Sequence, residues 1–317
     1  SGKHNNWSLG TDTGVNLLKP GKTPEKNKRF LLVLAAVIKA VDDYQDLLRI
    51  SAATAGNDCR LGGDEAPPAI ISIFLGDELD NLVKSIIEGR ELCKCDKKYM
   101  SLGIPSVPAI RIDNTDRNRT SPFAFTGNKF EFRMVGSSQN IALANIVLNT
   151  AVAKSFSDFA DVLEGASDFD TEVDKLICDT LKAHSRILFS GNSYSAEWEE
   201  EAARRGLSNF KTSPEAYAHF DDENNVALFE KFGVMSRTEI RSRREIFFES
   251  YRKYAEASKT VNDVAKLSAD IKMNMTSAVG GIENMKMDYV LNLAADINSE
   301  NPDESKMMYE GTIKAVT

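Results

Sequence analysis

Cysteine is scarce in this chain: four among 317 residues. Cys93-Lys94-Cys95 is a C-x-C with no second Cys/His pair at zinc spacing, so no sulfur-bound metal centre is expected. Reduced thiols in a cytosolic protein are the default for such usage. Positive charge is also in deficit. Thirty-nine Lys and Arg face 47 Asp and Glu, a net charge of −8. That balance speaks against a general nucleic-acid partner while leaving room for local basic clusters. Long apolar runs are missing too. The longest, residues 30–41, is interrupted by Lys39 and is too short to span a bilayer, so no membrane partner is expected. No secretory signal is expected, and the sequence shows no phosphate-binding P-loop, no Rossmann glycine pattern, no internal repeat and no low-complexity tract. The remaining composition, 42% hydrophobic and 27% charged, is that of a soluble globular protein large enough for two domains. The chain opens as SGKHNNWSL, which reads as mid-domain, so it is expected to be a fragment.

The richest chemistry lies in residues 116–133, DRNRTSPFAFTGNKFEFR. Arg117, Arg119, Lys129 and Arg133 surround one carboxylate, Glu131. Pro122 fixes φ, and Gly127 offers a turn with positive φ. If residues 129–133 form a strand, period 2 puts Lys129, Glu131 and Arg133 on one face and Phe130 and Phe132 on the other. Such a strand suits a sheet with a core below and a polar cleft above. It equally fits an antiparallel strand with a solvated outer face.

Taken in order, His4, Asn6 and Ser8 alternate with Asn5 and Trp7, as on a strand with one polar face. Residues 17–28 hold Pro20, Gly21 and Pro24 and read as a loop. Residues 27–48 read as a helix buried on one face, with Phe30, Leu34, Val37, Ile38 and Val41 at helical spacing. Residues 51–63 are small, polar and glycine-bearing, a composition found more often in functional loops than in cores. A β-rich run follows at 69–74, a helix at 77–91, a loop at 93–103 and a short strand at 107–112. Ser137 and Asn140 are cap candidates for a helix over 141–156, apolar almost all round and therefore expected to be buried. After about residue 158 strand signals nearly vanish. Helices are expected at 170–188, 196–205, 224–231, 237–272 and 282–297. The fold class is thus α+β over residues 1–160, followed by a mostly helical region over 161–317.

One histidine and one carboxylate suffice to help hold a divalent metal that also binds substrate phosphate oxygens. Arginines suit phosphate and carboxylate, because the guanidinium fork binds either in bidentate fashion. Glu65, at the end of a glycine-rich loop, is placed to move over a cleft and take a proton. The plainer readings stand beside these: a lone His4 is more often structural, and Arg60 with Glu65 also fits a surface pair.

Four ordered segments together resemble the glutamine synthetases. SGKHNNWSL resembles that family's metal-histidine segment. AGNDCRLGGDEAPPAIISIFLG resembles its flexible glutamate-bearing loop in the large type III form. DRNRTSPFAFTGNKFEFR resembles its arginine and metal-glutamate strand, and HSRILFSGNSYSAEWEEEAARRGL is similar to the type III C-terminal region. The resemblance implies the C-terminal part of the catalytic domain, an antiparallel sheet with flanking helices, and then the helical region. It implies ATP-dependent ligation of ammonium to L-glutamate through a γ-glutamyl phosphate, with Mg²⁺ or Mn²⁺, in a cytoplasmic homo-oligomer built as a double hexameric ring. His4 and Glu131 would ligate one metal. Arg60 would hold the glutamate, Glu65 would take the ammonium proton, and Arg119 would contact ATP phosphates. Arg133 would stabilise the transferring phosphoryl group. Lys129, Asn6 and Ser8 would contact the nucleotide.

The departures are local. Asn6 stands where shorter relatives often place a second histidine, Ala124 about where they carry another arginine, and Cys59 where type III forms would have histidine. The loop from Arg60 to Glu65 is one residue short. The acidic metal ligands and the N-terminal domain would lie upstream of Ser1. Two other readings fit these departures: a non-catalytic scaffold or regulatory relative, and a ligase joining glutamate to another amine.

Overall fold

The computed structural model describes residues 2–63, 66–89, 99–100, 110–111, 121–137 and 139–278. The chain divides into two compact units, Ser1–Phe248 and Glu249–Thr317. The first holds a four-stranded sheet and most of the helices. The second begins within a long helix and is highly charged, with Lys253–Glu249 and Arg252–Glu256 pairs one turn apart.

The sheet is built from β1 (Asn5–Trp7), β2 (Ile73–Phe74), β5 (Phe123–Phe125) and β6 (Phe130–Phe132), in the order β1-β6-β5-β2. Its first three strands are antiparallel, and β2 runs parallel to β5. A separate antiparallel ribbon pairs β3 (Tyr99–Met100) with β4 (Ile110–Arg111). The turn between β5 and β6 carries Gly127 at φ 92°, a conformation open to glycine at no steric cost. Period 2 then sorts the side chains. Phe123 stacks on Phe130 at 4.6 Å, Phe125 meets Phe130 edge-on at 5.2 Å, and Phe132 contacts Phe123 at 6.1 Å. These rings are the floor of the core, and Phe30 reaches Phe125 from the neighbouring helix.

That helix, α1 (Lys28–Asp43), starts at Asn27, whose side chain accepts from Phe30 N. It was expected to bury one face, yet Phe30, Leu31, residues 33–38 and residues 40–42 are all buried. The cause is sandwiching, because α1 packs against both α4 (Ala142–Glu164) and α5 (Phe169–His184). The expectation for α4 errs the other way. It runs past residue 156 to Glu164, and Ile146 and Val162 are exposed, so its apolar sequence covers the core on one side only. Ser137 gives α4 no cap; Asn140 Oδ1 accepts from Ala142 N at 2.7 Å instead.

The expected helix over 27–48 is two. Tyr44, at φ −124°, separates α1 from α2 (Gln45–Ala52). The next helix, α3 (Asp77–Glu88), ends on Gly89 in the left-handed conformation, as helices commonly do. Further on come α6 (Ala196–Arg204), α7 (Ser213–Tyr217), α8 (Glu223–Lys231) and α9 (Arg237–Ala278). The short α7 has no periodicity to mark it, only the local chemistry of Thr-Ser-Pro-Glu at 212–215, a capping box and a Pro in the first turn. Residues 185–209 return to the sheet: Phe189 N donates to Ile73 O at 2.9 Å, and Ile70 bridges Asn209. The sheet and the helices from α4 to α8 therefore share one unit. The expected helix at 282–297 lies outside the described residues.

Tyr44 is 4% exposed, and its phenol is pushed up to about 12, by burial first and then by the nearby Asp43, Asp158 and Asp46 carboxylates. A phenol with a raised folded pKa contributes stability that is present below the ordinary value of 10 and lost as pH rises from there towards 12. Spectrophotometric titration should accordingly show a late tyrosinate step near pH 12, and Tyr44→Phe should remove that step and flatten the alkaline loss of stability. An unchanged titration curve in Tyr44→Phe would contradict this assignment.

Candidate active site

The face of the sheet opposite the phenylalanines carries polar groups in register. Asn6 pairs with Glu131 across β1 and β6, and Glu131 pairs with Ala124 across β6 and β5. His4 is two residues before Asn6 and so lies on that same face. Its Nδ1 is 3.8 Å from Glu131 Oε2, with the imidazole 58% exposed and the carboxylate 10%. The ligand atoms of a six-coordinate ion at ~2.1 Å are separated by about 3 Å when adjacent and about 4.2 Å when opposite. A nitrogen and a carboxylate oxygen 3.8 Å apart fall between these two separations, so a side-chain shift of under about 1 Å brings both to adjacent positions around one divalent ion.

The arginines gather at one end of this strand pair. Arg60 is 8% exposed and donates through Nη2 to Met134 O. A Cβ on Gly2 would come 3.1 Å from Arg60 Nη1 and 2.8 Å from Arg133 O, so the site admits only glycine there. Arg133 donates through Nη2 to Ser121 O at 2.7 Å, and its own N–H donates to Pro122 O at 2.8 Å. Lys3 N donates to Val135 O at 2.7 Å, which continues the pairing past β6. At the other end Ser8 Oγ and Asn16 Nδ2 both donate to Asn128 O, at 3.2 and 2.9 Å. Lys129, half-buried, follows there, and Thr126 N donates to its carbonyl at 2.8 Å. Asn6 Nδ2 donates to His4 O at 3.3 Å.

The structure thus brings His4, Asn6 and Glu131 onto one face, with Arg60 and Arg133 at one end and Ser8 and Lys129 at the other. Glu65 and Arg119 lie outside the described residues, as do Cys93 and Cys95. Cys59 and Cys178 are free thiols. Ala124 is fully buried opposite Glu131, so no cation stands at that point of the face.

Two clamps on this geometry were not read from the sequence. Asn5 Nδ2 donates to Asn145 Oδ1 and Trp7 Nε1 to Asn149 Oδ1, both at 2.9 Å. The two α4 asparagines, at i and i+4, grip alternate residues of β1 from the core side, and their spacing was the available signal. Elsewhere Asp42, Asp43 and His184 place three metal-ligating groups within 4.8 Å. That set is already neutralised, because Arg186 Nε donates to both Asp42 oxygens at 2.8 and 3.1 Å and Lys39 pairs with Asp43. It ties α1 to the end of α5.

Comparison with known proteins shows what the chain is similar to. A family model described as the glutamine synthetase C-terminal domain matches residues 172–271. The chain is 51% identical over 256 residues to a type-3 glutamine synthetase of Dictyostelium discoideum, covering 80% of the chain and 35% of that protein. It is 47% identical over 261 residues to a glutamine synthetase of Butyrivibrio fibrisolvens, covering 80% and 36%. With a glutamine synthetase of Bacteroides fragilis it shares 44% over 274 residues, covering 84% and 37%. The chain spans about a third of the length of these relatives.

If the α4 asparagines hold β1, Asn145→Ala strands the buried Asn5 amide and should cost about 1–3 kcal/mol. Denaturant unfolding should show a lower midpoint at an unchanged slope. A midpoint unmoved by Asn145→Ala would show that β1 is held without this bond.

Proposed function

This chain belongs to the glutamine synthetase family, and on that premise we propose that the protein containing it ligates ammonium to L-glutamate with ATP through a γ-glutamyl phosphate. The observation that carries the reading is the pairing of His4 and Glu131 at 3.8 Å on the open face of the sheet, with Arg60 and Arg133 at one end of the same strands. His4 Nδ1 and a Glu131 oxygen would hold Mg²⁺ or Mn²⁺ together with ATP phosphate oxygens. When bound, the ion would neutralise phosphate charge.

The chain's own residues would supply the remaining positioning. Arg133 would offer its guanidinium to the transferring phosphoryl group, whose spread negative charge needs fixed donors in a dry cleft. Arg119 would add a second cation at the ATP phosphates. Because Ala124 fills the position opposite Glu131, these two arginines would carry more of the phosphate charge here. Arg60, buried and aligned by Met134 O, would hold the substrate carboxylate in bidentate fashion. Glu65 would close over the site and accept the proton that makes ammonium nucleophilic. Asn6 on that face, with Ser8 and Lys129 at the other end of β1, would contact the nucleotide.

The oligomeric reading, a cytoplasmic double hexameric ring, belongs to the same proposal. Among the described residues no helix is long and apolar enough to cross a membrane.

A biosynthetic assay on the whole protein with Mg²⁺ tests the reading. Arg133→Ala should lower kcat by about 10²–10³. Glu131→Gln should raise the metal concentration for half-maximal rate by at least about 10-fold. Wild-type rates in Glu65→Ala, or an unchanged metal requirement in Glu131→Gln, would overturn these roles.

A further inference from the structure

Arg60 sits at the end of a 3-10 turn, Ala55–Arg60, in a polar, glycine-bearing segment with no apolar stripe of its own to anchor it. The turn is nevertheless held at several points. Its N-terminal flank lies on the segment after β6, where Gly136 N donates to Ala52 O at 3.1 Å. Asn57 is packed so closely that a Cβ on Gly136 would come 2.7 Å from its Oδ1. The strongest anchor is Asp58. One carboxylate oxygen accepts from Arg49 Nη2 at 3.1 Å and from Ser213 Oγ at 2.7 Å, and the other accepts from Ser213 N at 2.6 Å.

Each partner of Asp58 is itself fixed. Arg49 is 1% exposed on α2 and donates through Nε to Phe210 O at 2.8 Å. Ser213, fully buried, opens α7. An Asp 155 residues away thus takes the first free N–H of that short helix, as an N-cap side chain would. Burial raises the Tyr217 phenol at the other end of α7, with Ser213 as its hydrogen-bond partner. The turn bearing Arg60 is thereby fastened to two elements, α2 before it and α7 far after it in the chain. All of these groups belong to the first compact unit.

We propose that Asp58 is a positioning residue for Arg60, and that Arg49 and Ser213 form the clamp through which the C-terminal helices set the place of the substrate-binding arginine. The inference rests on the reading of Arg60 as the group that holds the glutamate carboxylate. Asp58 has no contact with substrate in this account. It acts by fixing the backbone two residues before Arg60, and a bidentate pair depends on that placement because small displacements of a positioning group cost rate steeply.

The test uses the whole protein and separates the substrates. Asp58→Asn should raise KM for glutamate by about 10–100-fold, by loosening the placement of Arg60, while KM for ATP stays within about twofold. Ser213→Ala keeps the backbone bond and loses only the hydroxyl, so it should act in the same direction more weakly; it stands in if Asp58→Asn does not fold. In an Arg60→Lys background Asp58→Asn should add little, because residues acting as one unit are non-additive. A glutamate KM unmoved in both variants while unfolding temperature falls would overturn the proposal, as would fully additive losses with Arg60→Lys. If Arg60→Lys itself left the glutamate KM unchanged, the role of Arg60 would fail, and this inference with it. An effective Arg60→Lys beside silent Asp58 and Ser213 variants would refute the clamp alone.

Discussion

The antiparallel register of β1 on β6 decides which side chains meet on the open face of the sheet. With Asn6 opposite Glu131, His4 and Glu131 share a face and the phenylalanines face the core. A slip of one residue would turn Glu131 into the core and a phenyl ring onto the opposite face. The energies show what enforces the register. Burying a phenylalanine stabilises by roughly 1.5–3 kcal/mol, and Phe123, Phe130 and Phe132 are fully buried in one stacked group. The His4–Glu131 contact, with an imidazole more than half exposed, contributes at most about 1 kcal/mol. The aromatic face therefore places the polar one. The site residues are free to be chosen for chemistry because they are not what holds the strands together.

The same division of labour recurs around the site. Asn145 and Asn149 hold β1 from beneath, Gly2 leaves room for Arg60, and Asp58 ties the turn carrying Arg60 to α2 and α7. None of these residues needs to touch a substrate. Together they keep guanidinium and carboxylate groups in fixed orientations on a mixed α+β unit, as the proposed stabilisation of a transferring phosphoryl group would demand.

What could be read from the sequence was whatever period and local chemistry determine. The alternation Lys129-Phe130-Glu131-Phe132-Arg133 predicted both faces of β6, and His4-Asn5-Asn6-Trp7-Ser8 did the same for β1. The type and approximate span of α3, α6, α8 and α9 were legible, for α3 and α9 from apolar residues at helical spacing. The burial of α1 and α4 was not, because an apolar stripe says nothing about how many neighbours pack on it. Nor was the break at Tyr44, where no Gly or Pro marks the interruption. The clamp of Asp58 on Ser213 joins residues too far apart for any local pattern. The capping box at Thr212 marks a helix start, but the five residues of α7 are too few to show periodicity.

The claim at the centre is that the open face of β1 and β6 is where a divalent ion meets ATP. A crystal of the whole protein grown with Mn²⁺ and a non-hydrolysable ATP analogue, measured for anomalous scattering from manganese, tests it most directly. The account predicts an anomalous peak at bonding distance, about 2–2.4 Å, from a ring nitrogen of His4 and a carboxylate oxygen of Glu131. Manganese bound at the nucleotide phosphates with His4 and Glu131 both outside its coordination sphere would contradict it.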